Sequence, residues 1–367
     1  MNASTDALDP TLLRRALVVK LRHHGDVLLS SPVLTVLKRH APHVEIDALV
    51  YADTAEMLSR HPAIAQLHLI DRDWKNAGRL KQAAAEWALW RALRARNYDL
   101  IVHLTAHRRG MWLARTLGAR TSVAPQSGSG SGGRLWNRSF THRYALPRSG
   151  NTRHTVEVHL DALRCIGVTP REDERSLMLV PGAAAEARAD AILAANDLAP
   201  RGFILAHPAS RWMFKAWPAE RTAHLLDRLA ADGHRIVVTA GPAPAELALV
   251  RAITCAMRTE VVDLAGTLTL KDLAALTARA RLFIGVDSAP MHIACAMGTP
   301  TLALFGPSGD IEWGPWGVPH RIVASTRHPC RPCGNDGCGG SKVSECLTTL
   351  PVARVLDEVR SLLGETR

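Results

Sequence analysis

The sequence predicts an α/β protein of two doubly wound units in tandem, on three observations. Short apolar runs alternate with stretches of helical periodicity, the pattern of a parallel sheet covered by helices on both faces. The alternation pauses at a Gly/Ser tract, Ser127–Gly133, and begins again beyond it. The chain, at 367 residues, is too long for one ordinary core and suits two.

In the first half, Ala16–Leu21 reads as a strand, His23–Asp26 as a turn and Val27–Arg39 as a helix, with Pro32 in opening turns that tolerate a missing N–H. A strand at Val44–Val50, a helix at Thr54–Arg60, a short strand at Gln66–Ile70, a helix at Lys81–Arg94 and a strand at Leu100–Leu104 follow. The Ser127–Gly133 tract reads as a flexible loop, either a plain connector or, given its basic flank, a substrate lid. Helices are expected at Glu157–Ile166 and Ala184–Asn196, with a linker at Arg171–Gly182 between them. The second series of strands is Phe203–Ala206, Arg235–Thr239, Val261–Leu264, Leu282–Val286 and Thr301–Phe305. Helices at Ala219–Ala231, Ala245–Met257, Lys271–Ala280 and Met291–Met297 fill the gaps. Pro351 opens a final amphipathic helix with apolar residues at 352, 355, 356, 359, 362 and 363. The expected domains are 1–175 and 176–348, with a C-terminal helix at 349–367, and the cleft between two such units is a favoured ligand site.

The 47% hydrophobic and 22% charged content is that of a soluble globular protein. No apolar run approaches the ~18 to 20 residues that span a bilayer. Met1–Pro10 carries Asp6 and Asp9 and no basic n-region, unlike a secretory signal, so a cytoplasmic location is expected. The balance of 45 Lys+Arg against 34 Asp+Glu, +11 net, suits an anionic partner. The seven cysteines are then expected as free thiols or metal ligands rather than disulfides. Cys330, Cys333, Cys338 and Cys346, spaced C-x2-C-x4-C-x7-C, leave open a structural zinc site or a reduced, redox-sensitive loop. Cys165, Cys255 and Cys295 fall in helical patterns as core fillers. No G-x-G-x-x-G follows the first strand, and neither a P-loop nor a G-x-S-x-G elbow occurs, which argues against NAD chemistry, P-loop hydrolysis and serine hydrolysis. No cofactor is expected.

Chemistry-bearing residues collect at strand-to-helix corners, where a parallel sheet binds ligands and a helix N-terminus offers unpaired N–H groups to an anion. After the first strand comes Arg22-His23-His24-Gly25-Asp26, in which Asp26 either caps the next helix or presents its carboxylate to a cleft. Arg22, His23 and His24 are either anion ligands or exposed turn residues. In the second half, Ser210, Arg211 and Lys215 supply donors suited to phosphate oxygens, or form an ordinary surface loop. Glu246 follows a rigid Gly241-to-Pro244 corner and could meet a ribose diol, although a first-turn glutamate is commonplace. Phe305-Gly306-Pro307-Ser308 could flank a base. Asp287, Ser288 and His292 sit where a phosphate and its attached group would lie, or Asp287 or Ser288 merely caps the helix.

Together these corners resemble the ADP-heptose:lipopolysaccharide heptosyltransferases of glycosyltransferase family nine, most like the heptosyltransferase III branch. The resemblance runs from Ala16 to the final helix and is carried by Val18-Val19-Lys20-Leu21-Arg22-His23-His24-Gly25-Asp26-Val27-Leu28-Leu29, the His207–Pro218 segment, and Asp287-Ser288-Ala289-Pro290-Met291-His292 with Gly298-Thr299-Pro300. It implies a GT-B fold, two Rossmann-like domains facing a central cleft, with the acceptor on the first and the ADP-sugar on the second. It further implies Asp26 as the base for inverting, metal-independent transfer. Lys215, Ser288 and His292 would hold the diphosphate with help from Ser210, Glu246 the ribose and Asp287 the heptose hydroxyls. Arg22, His23 and His24 would face the acceptor. The implied partners are ADP-heptose and the inner core of lipopolysaccharide, reached by peripheral contact with the cytoplasmic face of the inner membrane, with no nucleic acid. Ala289 departs from the glycine common after the Asp-Ser/Thr pair, and its β-carbon would narrow the approach of a phosphate. Two other functions compete: a nucleotide-sugar epimerase, which would consume no acceptor, and a non-enzymatic anion or nucleic-acid binder.

Overall fold

The structure, a computed structural model, describes residues 9–127, 131–147 and 150–366. It divides into two compact units, Met1–Arg148 with Thr155–Val180, and Ser149–His154 with Pro181–Arg367. Among the described residues no helix is long and apolar enough to cross a membrane.

The first unit contains β1 (Arg15–Val19), β2 (Glu45–Tyr51), β3 (Ile64–Ile70), β4 (Leu100–His103), β5 (Thr121–Pro125) and β6 (His142–Tyr144), in the order β3-β2-β1-β4-β5-β6. The second contains β7 (Phe203–His207), β8 (Arg235–Val238), β9 (Val262–Asp263), β10 (Leu282–Val286), β11 (Thr301–Phe305) and β12 (His320–Ala324), in the order β12-β11-β10-β7-β8-β9. Every pairing in both sheets is parallel. Counted from its own first strand, each sheet has the Rossmann order 3-2-1-4-5-6, whose direction of winding reverses between the first and fourth strands. That switch point lies between β1 and β4 in one unit and between β7 and β10 in the other. The central strands are legible as strands because they are buried on both faces: β7 and β10 have no exposed residue.

The helices of the first unit are α1 (His24–Leu28), α2 (Ser31–His40), α3 (Arg79–Ala95), α4 (Arg108–Thr116), α5 (Ser131–Asn137) and α6 (Thr155–Arg164). Those of the second are α7 (Ala183–Ala195), α8 (Ala219–Ala231), α9 (Pro244–Ala256), α10 (Leu270–Ala278), α11 (Ala289–Ala296), α12 (Glu345–Thr348) and α13 (Val352–Glu365).

The single helix expected over Val27–Arg39 is two. Pro32, lacking an N–H, sits in the first turn of α2, and the Ser30 hydroxyl closes the preceding turn on the Val27 carbonyl at 2.6 Å. Asp26 therefore lies within α1, in its first turn. The expected Thr54–Arg60 helix is a 3-10 turn over Ala52–Met57. β5, β6 and β12 lack a readable signal, because they are short and their runs include Thr, Ser, His and Arg. The end of the Gly/Ser tract enters α5, anchored by buried Trp136, whose Nε1 donates to the Pro125 carbonyl at 2.8 Å; residues 128–130 of the expected lid lie outside the described residues.

The unit boundaries also differ from those read in the sequence. Asn151 belongs with the second unit, donating to Asp310 at 2.8 Å and accepting from the Ile311 amide at 2.7 Å. The final helix, expected to stand apart, buries Val355, Leu356, Val359, Leu362 and Leu363 in the same cluster as Ile204, Leu225 and Leu302. At about 2 kcal/mol per fully buried aliphatic side chain, α13 contributes on the order of 10 kcal/mol of gross apolar burial and is a structural part of that unit.

Candidate active site

In the first unit the corner after β1 is organised by a lysine. The Lys20 side chain is buried, and its Nζ lies 2.9 Å from His159 Nε2, 3.3 Å from the Leu104 carbonyl and 3.5 Å from Asp26 Oδ1. His159 Nδ1 is 3.1 Å from the Leu29 carbonyl and must donate to it, which makes Nε2 an acceptor for the lysine. Leu104 directly follows β4, so this junction occupies the switch point of the sheet. Burial pushes the Lys20 ammonium down to about 8 from 10.5, against the attraction of Asp26. Arg22 Nε approaches Asp26 Oδ1 from the solvent side at 3.9 Å. The Asp26 carboxylate, 16% exposed, is thus positioned from below and still reachable from above.

The other candidates at this corner have different roles. His23 occupies the N-cap position of α1 without a side-chain cap bond. His24 donates to the Asp53 carbonyl at 2.7 Å and ties α1 to the 3-10 turn. Arg72 braces the same turn, bonding the Asp53 carboxylate and the Arg22 carbonyl, with its guanidinium 3.7 Å from the Tyr51 ring centroid. Of the three acceptor-binding candidates, Arg22 stands beside Asp26 and His24 is engaged in holding the backbone.

In the second unit Lys215, in the 3-10 turn Met213–Lys215, pairs with Asp287 Oδ2 at 2.5 Å, and its Nζ is 5.0 Å from the Trp212 ring centroid. Asp287 directly follows β10, while Lys215 comes from the loop after β7, so this pair also lies at a switch point. Trp217, buried with Nε1 donating to the Leu350 carbonyl at 3.3 Å, fixes the end of that loop at the entry to α8. Ser288 holds the N-cap position of α11 but turns its hydroxyl to the Val286 carbonyl at 3.3 Å. Ser288 therefore makes no side-chain cap bond, and Asp287 directs its carboxylate to Lys215. Ser210 is buried and accepts from the Trp212 amide at 3.3 Å; His292 is buried in α11. Glu246, in the first turn of α9, accepts from the Gly241 amide at 3.0 Å, and a β-carbon on residue 241 would come within 2.8 Å of that carboxylate. His207, at the end of β7 and 3.0 Å from Thr239 Oγ1, is pushed down to about 4 by burial and stays neutral at pH 7.

Sequence reading missed Lys20 and His159. A lysine closing the apolar run of β1 was a usable signal, whereas His159 reaches the corner from a helix 139 residues away and leaves no local trace.

The cysteine loop is not assembled as a zinc site. Cys330, Cys333 and Cys338 are exposed, while Cys346 is buried and packs toward Gly306, and among the described residues no group of three or more His, Cys, Asp or Glu is placed to hold a metal ion. Burial raises the Cys346 thiol. Of the expected core fillers, Cys295 is buried and Cys165 half-buried, but Cys255 is exposed at the end of α9.

Two Rossmann-ordered units in tandem, with lysine–carboxylate pairs at both switch points and no dinucleotide fingerprint, have the architecture of the GT-B glycosyltransferases. The chain belongs to glycosyltransferase family 9 (heptosyltransferase), whose pattern matches residues 86–343. It is 35% identical to lipopolysaccharide heptosyltransferase 3 of Escherichia coli K12 over 298 residues, 81% of this chain and 83% of that protein. Its fold resembles a family 9 glycosyl transferase from Veillonella parvula, with a TM-score of 0.80 and 25% identity over 96% of this chain and 97% of that one. It also resembles Escherichia coli heptosyltransferase WaaC solved with ADP-2-deoxy-2-fluoro heptose, with a TM-score of 0.70 and 20% identity over 96% of this chain and 100% of that one.

Proposed function

We propose that this enzyme moves a heptose from ADP-heptose to the inner core of lipopolysaccharide by a single inverting displacement. The first unit binds the acceptor and the second the ADP-sugar. Asp26 accepts the proton of the attacking hydroxyl as that oxygen bonds to the anomeric carbon, while the bond from that carbon to the ADP oxygen breaks. Lys20 positions the carboxylate, and Arg22 with His23 meets the acidic acceptor. Lys215 exchanges Asp287 for a diphosphate oxygen, supported by Ser288, Ser210, His292 and the first N–H groups of α11, which stabilise the charge growing on ADP. Asp287, released, accepts from heptose hydroxyls, and Glu246 accepts from the ribose.

The observation that carries this reading is the carboxylate of Asp26 held by buried Lys20 at the switch point of a family 9 chain. Contact with the cytoplasmic face of the inner membrane belongs to the same proposal, because the acceptor is anchored there. Purified protein should release ADP from ADP-heptose only when an inner-core acceptor is added, and acceptors of increasing length identify the sugar attacked. Epimerised donor without acceptor would sink the proposal.

A further inference from the structure

We infer that the outer face of α3, together with Trp112 of α4, docks on an anionic phospholipid bilayer. The inference deepens the membrane contact proposed above and does not depend on the transfer chemistry. Leu80 is 88% exposed, Trp112 63% and Trp87 59%, a concentration of large apolar side chains in water that a soluble surface rarely carries without a partner. Leu80, Ala84, Trp87 and Arg91 recur at the spacing of one helical face. That face is held rigidly. Trp90 stacks on Trp87 at 4.8 Å between ring centroids, and its Nε1 donates to Thr116 Oγ1 at 3.0 Å. Glu86 pairs with Arg109. Arg109 and Thr116 lie three residues before and four after Trp112, so Trp112 shares the edge of α4 that borders α3.

Charge selects the occupant. α3 carries Arg79, Lys81, Arg91 and Arg94, its one acidic residue, Glu86, is paired with Arg109, and α4 adds Arg108 and Arg115 and no acid. Tryptophan rings ringed by arginine and lysine match the headgroup zone, where the indole sits at the apolar boundary and the cations meet lipid phosphates. With four basic residues and low net hydrophobicity, α3 would lie along the headgroup plane and not cross it.

The test uses the full chain and vesicles without acceptor. Wild-type protein should sediment with vesicles containing phosphatidylglycerol, bind pure phosphatidylcholine weakly and lose binding as salt rises. Leu80→Ser/Trp87→Ser should bind about tenfold more weakly, and Lys81→Gln/Arg91→Gln should lose most of the preference for anionic lipid. The charge double should keep the wild-type thermal midpoint, since both side chains are exposed, and the apolar double should still unfold cooperatively, losing only the Trp87–Trp90 stack. Equal vesicle binding by the apolar double and wild type overturns the inference, as does no binding by wild type. A wild-type dimer that the apolar double dissolves also overturns it, making the face a contact between copies. Turnover on a water-soluble truncated acceptor separates the two proposals. Its absence alongside intact vesicle binding refutes the transfer reading alone, and its presence without vesicle binding refutes the docking face alone.

Discussion

The two units share one strand order yet load their switch points with lysines of opposite character. Lys20 comes from the end of a central strand, is buried, and divides its donors among a histidine, a carbonyl and a carboxylate. Lys215 comes from a one-turn loop and bonds one carboxylate, that of Asp287, at 2.5 Å. A lysine with three internal partners cannot leave without orphaning them, so it serves to position the group beside it. A lysine with one carboxylate partner can trade that partner for a phosphate at little net cost, which is the binding role proposed for it. The same residue pair thus suits a general base in one unit and an anion cradle in the other.

That contrast can be broken by substitution. Asp26→Asn removes the proton acceptor and should lower turnover about a thousandfold, with ADP-heptose affinity measured by calorimetry left nearly unchanged. Lys215→Ala should do the reverse, weakening donor binding about tenfold to a hundredfold. Unchanged donor affinity in that variant would remove the binding role.

Acid should test both units together. Burial holds His103 down at about 3 and His207 at about 4, from 6.5. An unfolded chain takes up these protons near pH 6.5 and the folded one does not, so stability is full above that pH and falls as pH drops toward 4 and then 3. Urea unfolding at pH 7 and pH 5 should differ by about 2 kcal/mol per histidine at most, and His207→Asn should abolish the second unit's share. A pH-independent midpoint over that range would contradict the burial of both rings.

The smallest effect sharpens the account of Lys20. Its folded value of about 8 lies below the unfolded 10.5, so between these values the unfolded chain holds more protons and unfolding free energy rises with pH. Lys20→Met, already less stable because it orphans the three internal partners of the lysine, should lack that alkaline increment, reading as a deficit that widens above pH 8. Its turnover should fall about tenfold with donor affinity retained, and Lys20→Arg should recover part of the loss.

Much of this architecture is readable in one dimension. β7 and β10 announce themselves as apolar runs bounded by turn residues; Asp287 and Ser288 were singled out because they directly follow such a run, and Asp26 and Lys215 because the sequence places them between a strand and the next helix. The break between α1 and α2 was not read, since helical periodicity continues through Leu28 to Leu37 and only the missing amide of Pro32 interrupts it. The exposed face of α3 was also invisible, because Leu and Trp at helical spacing describe a core-facing stripe equally well.

The sequence by itself determined the alternation of strands and helices and the corners where charge would gather, since these follow from local periodicity and from residues with unusual backbone limits. Only the tertiary structure decided that His159 would brace Lys20 from 139 positions away, that Asn151 and the final helix would join the second unit, and that Cys346 would turn inward from the other cysteines of its loop. Each of those outcomes depends on which distant surfaces pack together, and burial, not local pattern, sets the energy of that choice.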